Sequence, residues 1–465
     1  MKGGFVTLRE LVRIAWPLAL AQLVSAVNCI WDRFQLARCG EIPLSASLSA
    51  SMVAVMCVAM FAATAGYSSV FVSQFHGGGK SREAVKAFAQ GVYLALASLP
   101  LLLLVTFAAG VAVDWVSTSE AIAASEKSYL RVFVPGGIFT VLNAVMSGFL
   151  SGQTRTRYAA VCNVVGIFVN IAVNPLLIHG WGPIPAMEIA GAATAAVFSG
   201  FVTCVLLAIG VSCNPLFREY RASGAFRFDR ALLAAVLRKG SANGLNCFFA
   251  CLSFTVFVMV LARLDALSSG ASNTVFAVNN LFYCILCAIS DGVCILCGRR
   301  KGADERSVIN ERQAVDTRPG VMQVVRCGLI LETVFFIIFF AALLPFSNVV
   351  LSAFYPSGAS FSLTDFQCVG FMLFLIMVLR EFLEGALLVF EGSLRGIGEV
   401  RYIMLVKASC DFLFWLPAVL LVHRFNLPLS VLWLTMPANF LLICIFLYRR
   451  LKDEKRLTIA TINRV

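Results

Sequence analysis

The sequence predicts an all-α polytopic membrane protein, with twelve transmembrane helices in two six-helix lobes related by an internal repeat. Three observations point there. Hydrophobic residues make up 60% of the 465 residues, charged residues only 13%, and the mean hydropathy is +0.87. A soluble domain of this size would carry about 25% charge. The apolar residues fall into segments long enough to cross about 30 Å of hydrocarbon. Finally, a motif recurs: Gly148-Phe-Leu-Ser-Gly152 followed by Arg157-Tyr158 returns as Gly392-Ser-Leu-Arg-Gly396 followed by Arg401-Tyr402. A second echo pairs Arg13 with Arg238 and Gly77 with Gly302. Two bundles of similar plan in one membrane chain are the architecture of a secondary transporter.

The spans run roughly 11–32, 46–73, 88–113, 131–151, 158–179, 187–211, 240–262, 272–297, 326–352, 366–392, 402–422 and 428–448. Residues 14–27 resemble the core of a signal peptide, but Asp32-Arg33 follows without a small-residue cleavage site, so this segment is read as the retained first span. Pro17 lies within it and frees a backbone carbonyl. The second span ends in Gly77-Gly-Gly-Lys80-Ser81, which imitates a phosphate-binding loop. That pattern demands glycine where Gln74 stands, so the stretch reads as a turn. The halves divide into residues 1–211, a linker at 212–239 forming an amphipathic surface segment, and 240–465 with a short basic tail. The repeat offset grows from 225 to 244 between the two echoes, placing about nineteen extra residues in 303–325 or 355–366. The former is expected to be the longest soluble loop, and mobile.

In the eighth span, Cys284-x-x-Cys287 and Cys294-x-x-Cys297 mimic a four-thiolate zinc site. Both pairs lie on one continuous apolar helix, about 15 Å of rise apart, which is too far for one metal. These cysteines read as small apolar residues. A disulfide framework is not expected either.

The net charge of +12 is distributed by topology. Sorted by alternate connections, thirty of the thirty-seven Lys and Arg fall on the side holding both termini and six on the other, with Arg380 inside a span. The positive-inside rule then places both termini in the cytoplasm of a multi-pass inner-membrane protein. A nucleic-acid partner is not expected; the partners are the lipid bilayer and a small-molecule substrate.

Ionisable and amide groups at membrane depth cost several kcal/mol and are functional candidates. Asp32 lies near the outer end of the first span, one turn after Asn28; the alternative is an interfacial acid beside Arg33. Asn170 and Asn174 share a face of the fifth span, with Pro175 next, and suit a hard monovalent cation; packing by interhelical hydrogen bonds is the alternative. In the tenth span Arg380 and Glu384 are spaced to pair, beside Glu381. Either they neutralise one another, or Glu384 exchanges a proton or holds a cationic substrate. Lys407 and Asp411 form a further pair of the same spacing, read as structural. Asn243, Asn246, Asn279 and Asn280 invite the same two readings as the fifth-span amides. The three histidines, His76, His179 and His423, appear isolated along the chain.

These residues resemble the multidrug and toxic compound extrusion (MATE) family over essentially the whole chain. The resemblance is carried by a proline-containing first span ending in Trp31-Asp32, by Gln74 with Gly77-Gly78-Gly79, and by the run from Ser147 to Arg157. It continues through Asn163, Gly166, Asn170 and Asn174-Pro175, Gly191-Ala-Ala-Thr194, and Gly392 to Gly398. It implies two lobes around a V-shaped cavity and export of organic, often cationic compounds in exchange for Na⁺ or H⁺, with no other cofactor. It also implies ion coupling at Asp32, Asn170, Asn174 and Thr194, a substrate or proton site involving Glu384, Arg380 and Asn28, and hinges at Pro17 and Pro175. The chain departs from the family where Ala250 replaces a seventh-span glutamate, Asn174 an aspartate, Gly240-Ser-Ala the opening Gly-Leu-Pro, and Arg299-Arg300-Lys301 a milder sequence.

The expected activity is therefore an alternating-access antiporter, acting as a monomer, and not an enzyme. A lipid-linked saccharide flippase would need a strongly cationic centre, whereas only Arg380 and Lys407 lie within spans. A membrane-embedded transferase would need acidic or histidine clusters, and a channel a filter-like segment.

Overall fold

The computed structural model describes residues 2–39, 41–116, 120–153, 155–182, 185–221, 224, 226–261, 264–311, 318–355, 361–425 and 427–453. Among these residues there are only helices, turns and short irregular connections, with no strand ladder. This follows from the solvent: lipid offers backbone N–H and C=O groups no partner, so each segment satisfies its own.

Eleven helical stretches among the described residues are long and apolar enough to cross a membrane, from Thr7–Leu36 to Leu429–Lys452. The segment read as the tenth span is also one unbroken helix, α13 (Leu363–Ile397), although it is not among the eleven. Buried Arg380, Glu381, Glu384 and Glu391 make it the most highly charged of the long helices inside the protein. Its start is capped by Ser362, whose hydroxyl accepts from the Asp365 N–H, and it ends at Gly398 with φ 95°, a left-handed conformation that glycine adopts without strain.

The chain divides into two compact units that do not follow the contiguous halves drawn from the sequence. One is built from Trp16–Phe248 with Gly298–Val315, the other from Met1–Ala15, Phe249–Cys297 and Asp316–Ile459. Three helices, α1 (Lys2–Ala37), α9 (Arg230–Leu261) and α10 (Ala266–Glu311), run through both. In the linker, the short helix Pro215–Arg221 occupies the place of the expected surface segment.

In the first unit, α2 (Glu41–Gly66), α3 (Ser68–Gly77), α6 (Thr156–His179) and α7 (Glu188–Ser212) accompany the later part of α1. The apolar cores are built from small and branched residues, such as Ala46, Ala50, Val58, Leu130 and Ile178 in one cluster. In the second unit Phe282, Phe366, Phe374 and Trp433 fill a core dominated by aromatic rings. Cys294 and Cys297 are buried there among Val293, Leu296 and Val321, as expected of small apolar residues.

Residues 303–311 form no loop, contrary to expectation: α10 continues through them to Glu311. The rest of that stretch at 312–317, and 356–360 in the other segment considered for the extra residues, lie outside the described residues. A backbone contact anchors the extension. A Cβ on Gly302 would lie 1.8 Å from the Gln74 carbonyl oxygen, and one on Gly77 would lie 2.2 Å from the Arg299 carbonyl oxygen. Gln74 and Arg299 stand at the same 225-residue offset as Gly77 and Gly302. The contact is therefore reciprocal: each repeat presents a glycine to the equivalent carbonyl of the other. Glycine allows such close backbone approach in a membrane.

Gly302→Ala should consequently lower the thermal unfolding midpoint of the detergent-purified protein, by an overpacking cost of about 1–3 kcal/mol. Gly110→Ala, where an added Cβ meets nothing within 4 Å, should leave stability unchanged or raise it by up to about 1 kcal/mol. Equal midpoints for the two variants would contradict the close contact.

Candidate functional site: a carboxylate among amides

Helices α1 and α6 meet through polar side chains spaced one turn apart on each. On α1, Asn28 and Asp32 are four residues apart and share a face. On α6, Asn170 and Asn174 do the same, and both are buried, at 3% and 0% exposure. Asn174 Nδ2 donates to Asp32 Oδ1 at 2.5 Å, and Asn28 Nδ2 donates to Asp32 Oδ2 at 3.3 Å. The Asn170 amide is satisfied when its nitrogen faces Asp32 Oδ1 at 3.2 Å and Asn28 Oδ1 at 3.1 Å. Its oxygen then accepts from the Ala196 N–H of α7 at 3.1 Å. Carboxylate and carbonyl oxygens only accept, so the amide nitrogen must face them.

Three amides from two helices thus converge on one half-buried carboxylate. The alternative partner considered from sequence, Arg33, has its side chain outside the described residues. One atom of the cluster stands out: Asn174 Oδ1 is buried without a hydrogen-bond partner. A buried amide oxygen left unpaired costs about 1–3 kcal/mol. Together with the Asp32 carboxylate it forms an oxygen-only donor set of the kind hard cations prefer.

Thr194 does not join this network. Its hydroxyl donates to the Ala190 carbonyl one turn back, at 2.8 Å, which is an ordinary back-bond within α7. Pro17 and Pro175 lie inside unbroken helices. Each leaves the carbonyl four residues earlier without its intrahelical donor, at Arg13 and Ile171.

The second unit holds a separate charged cluster. Arg380 pairs with Glu381 and, at 2.8 Å, with Glu384 Oε2, and it donates to Asn279 Oδ1 at 2.8 Å. Its guanidinium also faces the Phe440 ring, 5.4 Å from the centroid. Asn279 is therefore a ligand of Arg380, while Asn243 donates to the Ala63 carbonyl at 3.0 Å as packing within the first unit. The expected Lys407–Asp411 pair takes a different form. Lys407 pairs with Glu391 at 2.9 Å, and Asp411 accepts from Asn439 at 2.8 Å. The two remain one helical turn apart, since the Asp411 N–H still bonds the Lys407 carbonyl, but each side chain takes a partner on another helix, Glu391 on α13 and Asn439 on the last helix.

Reading the sequence overlooked three groups. Glu332 is buried to 1% exposure in the ninth span and lies against Gly385, whose Cβ would fall 2.2 Å from Glu332 Oε1. An acid in the middle of a span was the signal for it. Gln35 lies three residues after Asp32 on the same face of α1. His179, isolated along the chain, is not isolated in space: its Nε2 stands 3.1 Å from Gln35 Oε1 and its Nδ1 3.7 Å from Cys39 Sγ.

With this geometry in place, similarity to known proteins can be set beside it. The MatE family model matches residues 17–176, the segment that contains Asp32, Asn170 and Asn174. A probable multidrug resistance protein NorM from Deinococcus radiodurans is 26% identical over 426 residues, covering 86% of this chain and 85% of that protein. The chain is thus similar to MATE proteins along most of its length. A probable NorM from Thermotoga maritima is 24% identical over 93% of this chain and 89% of its own length. The fold agrees. A MOP superfamily transporter from Pyrococcus furiosus superposes with a TM-score of 0.81 at 17% identity, covering 97% of each chain. The eukaryotic MATE transporter AtDTX14 does so with 0.82 at 17% identity, covering 98% of each. The protein is a multi-pass membrane protein with the fold of these transporters, similar to them at low identity.

Removing the guanidinium of Arg380 leaves buried carboxylates unpaired, so Arg380→Met should destabilise the purified protein by about 3–5 kcal/mol. The triple variant Arg380→Met, Glu381→Gln, Glu384→Gln should recover most of that loss. Thermal unfolding of the two in the same detergent measures the difference, and a triple variant no more stable than the single one would refute the pairing.

Proposed function

We propose that this chain exports organic small molecules, cationic or amphipathic, across the cytoplasmic membrane in exchange for Na⁺ or H⁺, by alternating access. The observation that carries the reading is the Asp32 carboxylate, held by amides of Asn28, Asn170 and Asn174 beside an unpartnered Asn174 oxygen. The names of the relatives, multidrug resistance proteins NorM and MdtK, support the substrate class.

The chemistry follows from what each atom can accept. An ionised Asp32 in a largely dehydrated site is stabilised by the three amide N–H donors and attracts a cation or a proton. With Na⁺ as the ion, the Asp32 carboxylate and the Asn174 oxygen are the donors on hand, and Asn28 and Asn170 orient the carboxylate. With a proton, Asp32 becomes a neutral acid, and the amides need only turn to accept rather than donate. Either way the charge on α1 disappears. The helix then no longer holds an anion against α6, and the balance between two arrangements of the protein shifts. Pro17 and Pro175, with their unpaired carbonyls, are the places where α1 and α6 bend at least cost.

Coupling requires only that ion and substrate prefer different arrangements. Glu384 and Arg380 offer a second polar site in the other unit, where a cationic substrate would compete with the guanidinium for carboxylate. Helix α7 contributes the Ala196 N–H that orients Asn170, while the Thr194 hydroxyl stays bonded to its own helix. The unequal distribution of Lys and Arg supports an orientation with both termini in the cytoplasm. The protein works as a monomer with a lipid bilayer and a small-molecule substrate as its partners, without nucleic acid. A flippase is less well supported, because Arg380 and Lys407 each face buried carboxylates rather than an anionic substrate.

Asp32→Asn should abolish ion-driven efflux of fluorescent organic cations from proteoliposomes while leaving expression and membrane insertion intact. Na⁺ and H⁺ gradients imposed separately identify the coupling ion. Efflux at the wild-type rate in that variant, under both gradients, would rule the mechanism out.

A further inference from the structure

The polar seam between α1 and α6 continues past Asp32 to the C-terminal ends of both helices. Gln35, 3% exposed, occupies the last turn of α1. Cys39 follows in the turn after it, with its N–H bonded to the Leu36 carbonyl at 3.0 Å. His179 is the last residue of α6 and is exposed to solvent. Gln35 Oε1 can only accept a hydrogen bond, so His179 Nε2 carries the ring proton. That leaves the Nδ1 lone pair directed at Cys39 Sγ, 3.7 Å away.

Such a distance is long for a bond from a weak thiol donor, and it matches the edge of a metal site. Zinc bonds of about 2.3 Å to sulfur and 2.05 Å to nitrogen, at a tetrahedral angle, place the two ligand atoms about 3.6 Å apart. The remaining features fit the same chemistry. A ligating imidazole needs its other nitrogen held by an acceptor, which Gln35 does. The Met187 N–H bonds the Leu177 carbonyl at 3.0 Å, which seats the start of α7 against the end of α6. Glu188, in a left-handed conformation at φ 48°, follows as the first residue of α7.

We propose that Cys39 and His179 form a two-ligand site for a divalent cation of the zinc class, oriented by Gln35. Water completes the coordination, since among the described residues no third His, Cys, Asp or Glu stands close enough to make a three-ligand cluster. On binding, the Cys39 S–H bond is replaced by a sulfur–metal bond, and the proton passes to solvent. The ion pins the end of α1 to the end of α6, the two helices that hold Asp32. Two protein ligands make it a weak, exchangeable site rather than a structural one.

Cobalt and zinc test this on the full-length protein in lipid nanodiscs. Titration with Co²⁺ should produce a saturable sulfur-to-cobalt charge-transfer band in the near ultraviolet, displaced by Zn²⁺. Cys39→Ser should abolish the band, and His179→Ala and Gln35→Leu should each weaken binding about 10–100-fold. Should the serine variant fail to fold, wild-type protein whose Cys39 has been capped by a membrane-impermeant maleimide serves instead, and Zn²⁺ should slow that capping. A band of unchanged strength in the Cys39→Ser or capped protein would place the metal on other thiols and overturn the proposal, as would the absence of saturable binding in the wild type. Neither measurement depends on transport, so its failure is distinct from failure of the antiport reading.

Discussion

One carboxylate placed inside a membrane protein constrains everything around it. Asp32 sits among apolar helices, where an unsolvated charge is costly, and survives there because amide groups from α1 and α6 converge on it. This requirement brings together residues 138 and 142 positions apart in the chain, Asn170 and Asn174, with Asp32. It also explains why α6 presents two asparagines on one face. Amides adapt to either charge state of their neighbour by exchanging donation for acceptance, which a second charge or a hydroxyl does less well. Without that carboxylate, α1 and α6 would be an ordinary packed pair.

The charged cluster of the second unit obeys a different logic. There Arg380 accompanies its acids, so much of the cost of burial is offset inside the cluster, and Asn279 and the Phe440 ring take up remaining directions of the guanidinium. Asp32 has no such basic companion among its hydrogen-bond partners. The contrast between an acid held by neutral donors and acids held by a cation separates a group open to ion exchange from one that is mostly committed. Glu332, against the backbone of Gly385, adds another buried acid to the surroundings of that second cluster.

Much of this could be read along the chain. Long apolar runs must be helices in lipid, and all the expected spans are helical. The amide and acid candidates at Asn28, Asp32, Asn170 and Asn174 were visible because polar side chains in a span are conspicuous, and a four-residue spacing puts them on one face. Thr194 was also visible, but its hydroxyl turns back to its own helix, as threonine does whenever the carbonyl one turn earlier lies within reach. The Lys407–Asp411 pairing was misjudged because partners on other helices, Glu391 and Asn439, compete for the two side chains, and nothing in the local spacing reveals them. The extension of α10 was missed because charge usually signals a loop, and only the glycine contact with Gln74 reveals that this stretch is packed.

Composition, segment length and the repeated glycine motif were sufficient for the class of protein, an all-α polytopic membrane chain, since all three reflect a solvent that tolerates few other solutions. Partnership was another matter. Which acid meets which amide, which base meets which acid, and that His179 lies beside Cys39 depend on how helices far apart in sequence come to lie against each other. Helix contacts in lipid are set by close packing of many small apolar surfaces, each worth little alone and none carrying a signature in the chain.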